Sequence, residues 1–322
     1  MSDRKFKGKN IMGRRILRIS LAAALILAFA FSAVFAESLE TDFNKINISL
    51  NETMVAVSGE NFSRVGWDGQ VYTTPYSILY NGTTYLPIAK VAEFVGREVG
   101  WDAETRTVSI DNPAEPLPPP EASTAEPGLH ERVTAEMTLN SLTIKVCGRV
   151  FAVPGDEFSR VGWDGQIYTT PYSILYNGTT YLPVAKVSEI LGKSVGWDAE
   201  LYIASITDRP ALSLYAKTGI PNYGALSGLP KASESNEDDK MVYNYYVYTK
   251  TSVEDKFETD LETYRGYLFD AGFVYKFSDT RILEGAVNPT TLECYGNAAG
   301  ELVVMGRVDY DGLKEVVVSY AK

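Results

Sequence analysis

Histidine is almost absent from this sequence, and its scarcity excludes several kinds of chemistry. Of 322 residues only His130 is a histidine, and it lies in a proline-rich segment. Ser/His/Asp and Cys/His catalytic arrangements need an oriented histidine, and transition-metal sites commonly use several. A Gly-rich phosphate loop followed by Lys-Ser or Lys-Thr is also missing. The sequence therefore predicts no cofactor, no metal centre and no histidine-based catalysis, with His130 as an exposed linker residue.

Cysteine is nearly as rare. Cys147 and Cys294 are the only two, which is too few for a small fold held together by disulfides. They also lie in different predicted domains. Two separately buried thiols are the favoured interpretation, and a long-range bridge between them is the alternative.

Basic side chains are outnumbered by acidic ones. The chain has 30 Lys and Arg against 41 Asp and Glu, for a net charge of −11. Seven of the basic residues and one acid precede residue 37, so a chain without residues 1–36 would carry a charge of −17. Because phosphate binding needs clustered Lys and Arg, we expect no nucleic-acid partner.

A long apolar run occurs only near the N-terminus. Residues 19–36 follow a basic segment and close with Val34-Phe35-Ala36. A basic region, an apolar region and small residues before a cleavage point are typical of a secretory signal peptide, here residues 1–36. An uncleaved membrane anchor is the alternative. We expect a secreted or cell-surface protein with no stable membrane insertion after signal cleavage.

The chain repeats itself with a period of 96 residues. Residues 62–110 match residues 158–206 at roughly 38 of 49 positions, without a gap. The predicted repeats are residues 37–112 and 137–208. Residues 113–136 between them are proline-rich, which favours a semi-rigid spacer, so the repeats are expected to be separate units.

Each repeat has the pattern of a small antiparallel sheet with one short helix. Asp68-Gly69 and Asn81-Gly82 supply the positive φ angles of tight hairpin turns. Pro87 suits the start of a helix and Gly96 suits its end. A last hairpin follows over residues 99–110. The predicted fold class is α+β.

The sequence YNGTTYLPIAKVAEFVGREVGWDAETRTVSI, residues 80–110, and its copy at 176–206 resemble the stalk domain at the N-terminus of copper amine oxidases. The resemblance implies a small α+β module that occurs in tandem on exported bacterial proteins as a spacer or binding module. It implies no copper, since the chain has one histidine. The helix carries Ala89 and Ala185 where the family commonly has Arg. The segment 62–74 is longer than the family pattern, which makes the added hairpin the place to expect specialisation.

The remaining third differs from the repeats. Residues 209–240 are predicted as a linker and loop, in which the acidic cluster at 234–239 is solvated, with a weak calcium site as the alternative. Residues 241–322 are predicted as an α+β domain of order β-α-β-β-β, with an amphipathic helix over 252–271. A hydrolase with a carboxylate-based site in this domain is the rival function.

Every tryptophan lies in a copy of the string VGWD. Trp101 and Trp197 belong to the family pattern and are interpreted as core residues. The two tryptophans of the added hairpins, with nearby tyrosines, form the candidate ligand face, because flat rings stack on the apolar faces of sugars. The candidate residues are Trp67, Tyr72, Tyr76, Trp163, Tyr168 and Tyr172.

These observations together predict an exported, non-enzymatic protein of the cell envelope. Its expected role is a spacer or a binding module, and its expected partner is wall glycan or another extracellular polymer. Duplication of the module would raise avidity. A pure spacer without a ligand is the further alternative.

Overall fold

The computed structural model describes residues 36–65, 69–161, 166–231, 233–238, 241–248, 254–311 and 313–321. All of these residues belong to one compact unit. The predicted signal peptide up to residue 35, and the predicted ligand residues Trp67 and Trp163, lie outside the described residues. Within the described ranges, no helix is both long and apolar enough to cross a bilayer.

Strands dominate both repeats. The elements of the first repeat are β1 (Glu37–Phe43), β2 (Asn47–Leu50), β3 (Thr53–Ala56), β4 (Asn61–Val65), β5 (Val71–Pro75), β6 (Ile78–Tyr80), β7 (Thr83–Pro87), α1 (Ile88–Phe94), β8 (Glu98–Asp102) and β9 (Thr107–Asp111). Those of the second repeat are β10 (Glu131–Leu139), β11 (Thr143–Val146), β12 (Arg149–Ala152), β13 (Glu157–Val161), β14 (Ile167–Pro171), β15 (Ile174–Tyr176), β16 (Thr179–Pro183), α2 (Val184–Ile190), β17 (Lys193–Asp198) and β18 (Ile203–Asp208).

The local elements lie where the turn and cap residues predict them. Asn81 and Gly82 have φ angles of 46° and 66° and connect β6 to β7. Pro87 is the N-cap residue of α1, which begins at Ile88, one residue after the predicted start at Pro87. Gly96 has a φ of 68° just after the helix, a left-handed conformation that favours glycine. Each repeat therefore forms its short elements from local sequence.

The two repeats exchange hairpins. Strand β2 of the first repeat pairs in parallel with β18 of the second, and β11 of the second pairs in parallel with β9 of the first. The resulting four-stranded sheets have the orders β17-β18-β2-β3 and β12-β11-β9-β8. Each sheet thus takes one hairpin from each repeat.

A closed barrel, of order β1-β10-β15-β16-β7-β6, also joins the repeats. Leu86 pairs with Leu182, and Leu39 pairs with Ala135. In each pair the partners are 96 residues apart, so the repeats meet as the two halves of an isologous dimer do. Tyr85 Oη donates to the Pro171 carbonyl at 2.7 Å, and the reciprocal bond from Tyr181 to Pro75 is also 2.7 Å.

The expectation of separate units is therefore wrong. An unpaired strand edge is a template for another strand, and the first hairpin of each repeat covers the edge that the other repeat offers. The prediction of purely antiparallel modules is also wrong, since both exchanged contacts are parallel. The predicted domain boundaries at residues 112, 137 and 208 remain predictions.

The proline-rich spacer docks on the first repeat. The Gly128 amide donates to the Ser58 carbonyl at 2.7 Å, and the Ser123 amide donates to the Met54 carbonyl at 2.9 Å. A Cβ at Gly59, where φ is +80°, would lie 2.7 Å from the Gly128 backbone, so this close approach requires glycine. From Glu131 onward the predicted spacer is strand β10. It is a docked segment and not a free linker.

The C-terminal third forms one antiparallel sheet with a helix across it. Its elements are α3 (Tyr223–Ser227), β19 (Ser233–Asp238), β20 (Met241–Tyr248), α4 (Glu254–Asp270), β21 (Val274–Arg281), β22 (Thr290–Gly296), β23 (Leu302–Tyr310) and β24 (Leu313–Ala321). The sheet order is β19-β20-β24-β23-β22-β21. The predicted order β-α-β-β-β lacked two strands. One of them, β19, lies in the acidic segment predicted as a solvated loop, because β20 offers it a pairing edge.

This sheet and helix pack directly on the repeats. Arg97 donates to Asp270 on α4 at 2.6 Å, although burial raises the pKa of that carboxyl. The Tyr275 amide donates to the Cys147 carbonyl at 2.9 Å. Cys147 and Cys294 are both free and buried, and burial raises the pKa of the Cys147 thiol to about 11. The structure therefore has two separately buried thiols and no disulfide bridge between Cys147 and Cys294.

Candidate functional site

The predicted ligand face is only partly available at the surface. Tyr72 and Tyr168 are half-buried, and each ring is covered by an arginine of its own hairpin. The Arg64 guanidinium lies 4.9 Å from the centre of the Tyr72 ring, and Arg160 lies 5.2 Å from that of Tyr168. These rings therefore present less surface to a ligand than the sequence predicted.

Tyr76 is a core residue, which corrects its assignment to the ligand face. Its side chain is 5% exposed. The ring stacks on Phe94 at 6.4 Å and meets Phe62 edge to face at 5.8 Å. Tyr172, the equivalent position, is half-buried against Phe151. The alternation of a strand would place Tyr72 and Tyr76 on the same face, but Tyr76 lies beyond the end of β5 and its ring is in the core.

The arginines of the added hairpins connect the two repeats. Arg64 Nε donates to Thr179 Oγ1 at 2.8 Å, and a second nitrogen of Arg64 bonds to the Gly178 carbonyl. Arg160 donates to the Asn81 carbonyl at 2.6 Å. Each added hairpin thus holds the Asn-Gly turn region of the other repeat, which assigns the extra length a structural role.

A groove of about 520 Å³ lies between the repeats, beside the Arg64 contact. Its volume is within the range of small-molecule sites, roughly 300–1,000 Å³. The first repeat supplies Phe62, Val65, Ile88, Val99 and Trp101, and the second supplies Leu142, Leu175 and Thr179. Among its described lining residues are two arginines and no acid. The groove exists only because the repeats interlock.

Trp101 lies on this groove and is not a core residue. Its side chain is 38% exposed. Trp197, at the equivalent position, packs against the main core and meets Tyr202 edge to face at 6.0 Å. The core interpretation is therefore wrong for Trp101 and fits Trp197 better.

Arg106 and Ser141 were missed as site residues. Arg106 is exposed at the groove, and within the described part of the chain its guanidinium has no hydrogen-bond or ion-pair partner. Ser141 Oγ is buried without a partner. The sequence carried a signal for both residues. The position equivalent to Arg106 is Tyr202 and the position equivalent to Ser141 is Lys45, so the two repeats differ there in side-chain size and charge.

A second, smaller cavity of about 300 Å³ lies under α4 in the C-terminal sheet. Glu258 and Asp309 flank Arg307 at 2.5 and 2.7 Å. Glu293 accepts from Arg265 at 2.8 Å. Burial acts to raise the pKa of Glu293, but Arg265 outweighs it and holds that pKa below its usual range. A general acid needs the opposite shift, so these contacts do not favour the carboxylate hydrolase.

Metal ligands are not clustered in the described ranges, where no group of three or more His, Cys, Asp or Glu side chains is placed to hold an ion. His130 is exposed in the spacer, beside Lys45 and Tyr202.

Residues 41–156 match a known protein family. The copper amine oxidase N-terminal domain family matches residues 41–110 and again residues 67–156, which confirms tandem copies of this non-catalytic, stalk-like domain. The second match contains all four strands of the exchanged sheet β12-β11-β9-β8. No curated protein and no solved structure gives a significant match to the chain.

Proposed function

We propose that this protein is an exported, non-catalytic binding module of the bacterial cell envelope, whose two repeats together form one site for an extracellular polymer. The groove between the repeats carries the proposal. It has an apolar lining, a half-exposed tryptophan and an arginine that has no partner among the described residues. Apolar concave sites with a few convergent polar groups are typical of ligand binding.

The family match supports the non-catalytic part of the proposal for the repeats. The basic and apolar segment before Glu37 supports export. N-terminal sequencing of material from the culture medium should find Glu37 first. A chain that keeps the residues before Glu37 and stays with the membrane would contradict cleavage.

Binding to purified cell wall and to soluble glycans tests the function. Residues 36–322, which lie in one compact unit, should be retained by wall material, and Trp101→Ala should abolish retention. Trp197→Ala is the matched control, because Trp197 packs on Tyr202 and does not line the groove. Equal binding by wild type and Trp101→Ala would refute the site, and no retention of wild type by any polymer would leave the spacer alternative.

A further inference from the structure

We infer that the groove between the repeats binds a saccharide that carries a carboxylate, with a sugar ring on Trp101 and the carboxylate on Arg106. The inference rests on the proposed function and names the ligand class of that site. It places the charged contact in the one repeat that carries Arg106.

The exposed side chains at the groove suit a sugar ring. Trp101 and Val99 project from β8 and are more than a third exposed. An indole face stacks on the C–H face of a pyranose, while the hydroxyl groups at the ring edge stay in contact with water. Thr180, which is half-buried in the lining of the groove, adds a hydroxyl group from the second repeat.

The charge of the groove opposes the charge of the protein. The whole chain has a net charge of −11, yet the groove is lined by Arg64 and Arg106. Arg64 is occupied by Thr179 and the Gly178 carbonyl. Arg106 is therefore the cation that an anionic ligand would meet.

Within the described residues, neither Asp102 nor Glu104 of the same turn forms an ion pair with Arg106. Asp102 accepts hydrogen bonds from the Thr105 hydroxyl at 2.7 Å and from the Glu104 amide at 2.9 Å. The bonds from Thr105 lower the pKa of Asp102, so this carboxylate is engaged in its own turn. A guanidinium presents paired N–H donors that match the two oxygens of a carboxylate. One such group fits a singly charged ligand better than a phosphate, which draws several donors.

The equivalent position in the other repeat carries different side chains. There Tyr202 replaces Arg106, and Lys45 replaces Ser141. Lys45 Nζ lies 5.5 Å from the centre of the Tyr202 ring, and Trp197 meets that ring edge to face. The guanidinium of Arg106 therefore has no counterpart at this position of the other repeat.

Calorimetric titration with matched oligosaccharides tests the ligand class. A tetrasaccharide of uronic acid units should bind residues 36–322 with a one-to-one stoichiometry. The same tetrasaccharide with its carboxyl groups reduced to alcohols should bind roughly tenfold more weakly, because it lacks the charge-assisted hydrogen bonds. Arg106→Gln should weaken the acidic ligand to the level of the reduced one and leave the reduced one unchanged.

Variants that exchange the residues at the two equivalent positions test for a gain of ligand binding as well as for a loss. Arg106→Tyr with Ser141→Lys copies the residues of the other repeat and should abolish binding while the protein stays folded. Lys45→Ser with Tyr202→Arg places the arginine and the serine in the other repeat and should raise the stoichiometry to two. Circular dichroism and thermal melting check the fold of both variants.

Each failure points to a different conclusion. Equal affinity for the acidic and reduced ligands, or no effect of Arg106→Gln, would overturn the carboxylate inference while the Trp101-dependent wall binding still stands. Preference for a phosphate-bearing wall polymer over the uronate would overturn it in the same way. Loss of wall binding in wild type would instead refute the proposed function.

Discussion

Cross-linking of β2 to β18 would test the hairpin exchange directly. Ser49 lies opposite Ser205 in this parallel pair. The position equivalent to Ser205 in the first repeat is Ser109, which faces Lys145 of the second repeat. Neighbouring strands lie about 4.7–4.9 Å apart, within the Cα separations of about 4.4–6.8 Å that a disulfide spans. We therefore expect Ser49→Cys with Ser205→Cys to oxidise to an intramolecular bridge in the folded protein.

The expected gain in stability follows from the length of chain that the bridge closes. The loop from residue 49 to residue 205 is roughly 150 residues long, for which loop-closure entropy gives an upper value of about 5 kcal/mol. Urea denaturation of the oxidised and reduced forms measures the difference. The apparent mass on a non-reducing gel distinguishes a disulfide within one chain from a disulfide between two chains. The native thiols are buried while the folded protein is oxidised, and both variants carry serine at 147 and 294 because urea would expose these thiols to disulfide exchange.

The control pair is Ser49→Cys with Ser109→Cys. These residues would face each other only if each repeat closed its own sheet. Fast bridging of the control pair, together with failure of the Ser49 and Ser205 pair, would refute the exchange and restore two separate units.

Three further perturbations test other contacts. Trp101→Ala should lower the unfolding free energy by about 1–2 kcal/mol, less than the roughly 3–5 kcal/mol of a buried aromatic, because Trp101 is 38% exposed. A larger loss in urea denaturation would place Trp101 in the core. Gly266→Ala should cost about 1–3 kcal/mol, since its Cβ would lie 2.8 Å from the Gly192 nitrogen where α4 meets α2; an unchanged melting temperature would contradict that packing. Arg265 holds the pKa of Glu293 below its usual 4.5, so the stabilising contribution of Glu293 is present above pH 4.5 and is lost as the pH falls below it. Glu293→Gln should flatten the dependence of melting temperature on pH in that range, and an unchanged slope would refute the assignment.

The interlocked structure changes the expected basis of ligand binding. Separate repeats joined by a free spacer would raise affinity through two independent sites. The observed repeats form one body, and both of them line the groove that carries Arg106. A single site of defined shape therefore replaces avidity as the basis of binding in our proposal.

Local elements of this protein follow from its sequence. Asn81-Gly82 specifies a hairpin because its residues tolerate positive φ angles, and Pro87 and Gly96 bracket a helix for similar reasons of backbone conformation. The 96-residue period is also a property of the sequence alone. These features depend on neighbours along the chain, so the structure has them near the predicted positions.

The partner of each hairpin depends on contacts that the sequence leaves equivalent. Strand β2 has two candidate edges, β9 and β18, and both contain Ser-Ile at the same place in the repeat. Because both edges offer the same backbone hydrogen-bonding groups, the strand pattern alone does not select one of them. Packing of the whole chain selects β18, and the same packing exposes Trp101, buries Tyr76 and brings Ser141 of one repeat beside Arg106 of the other.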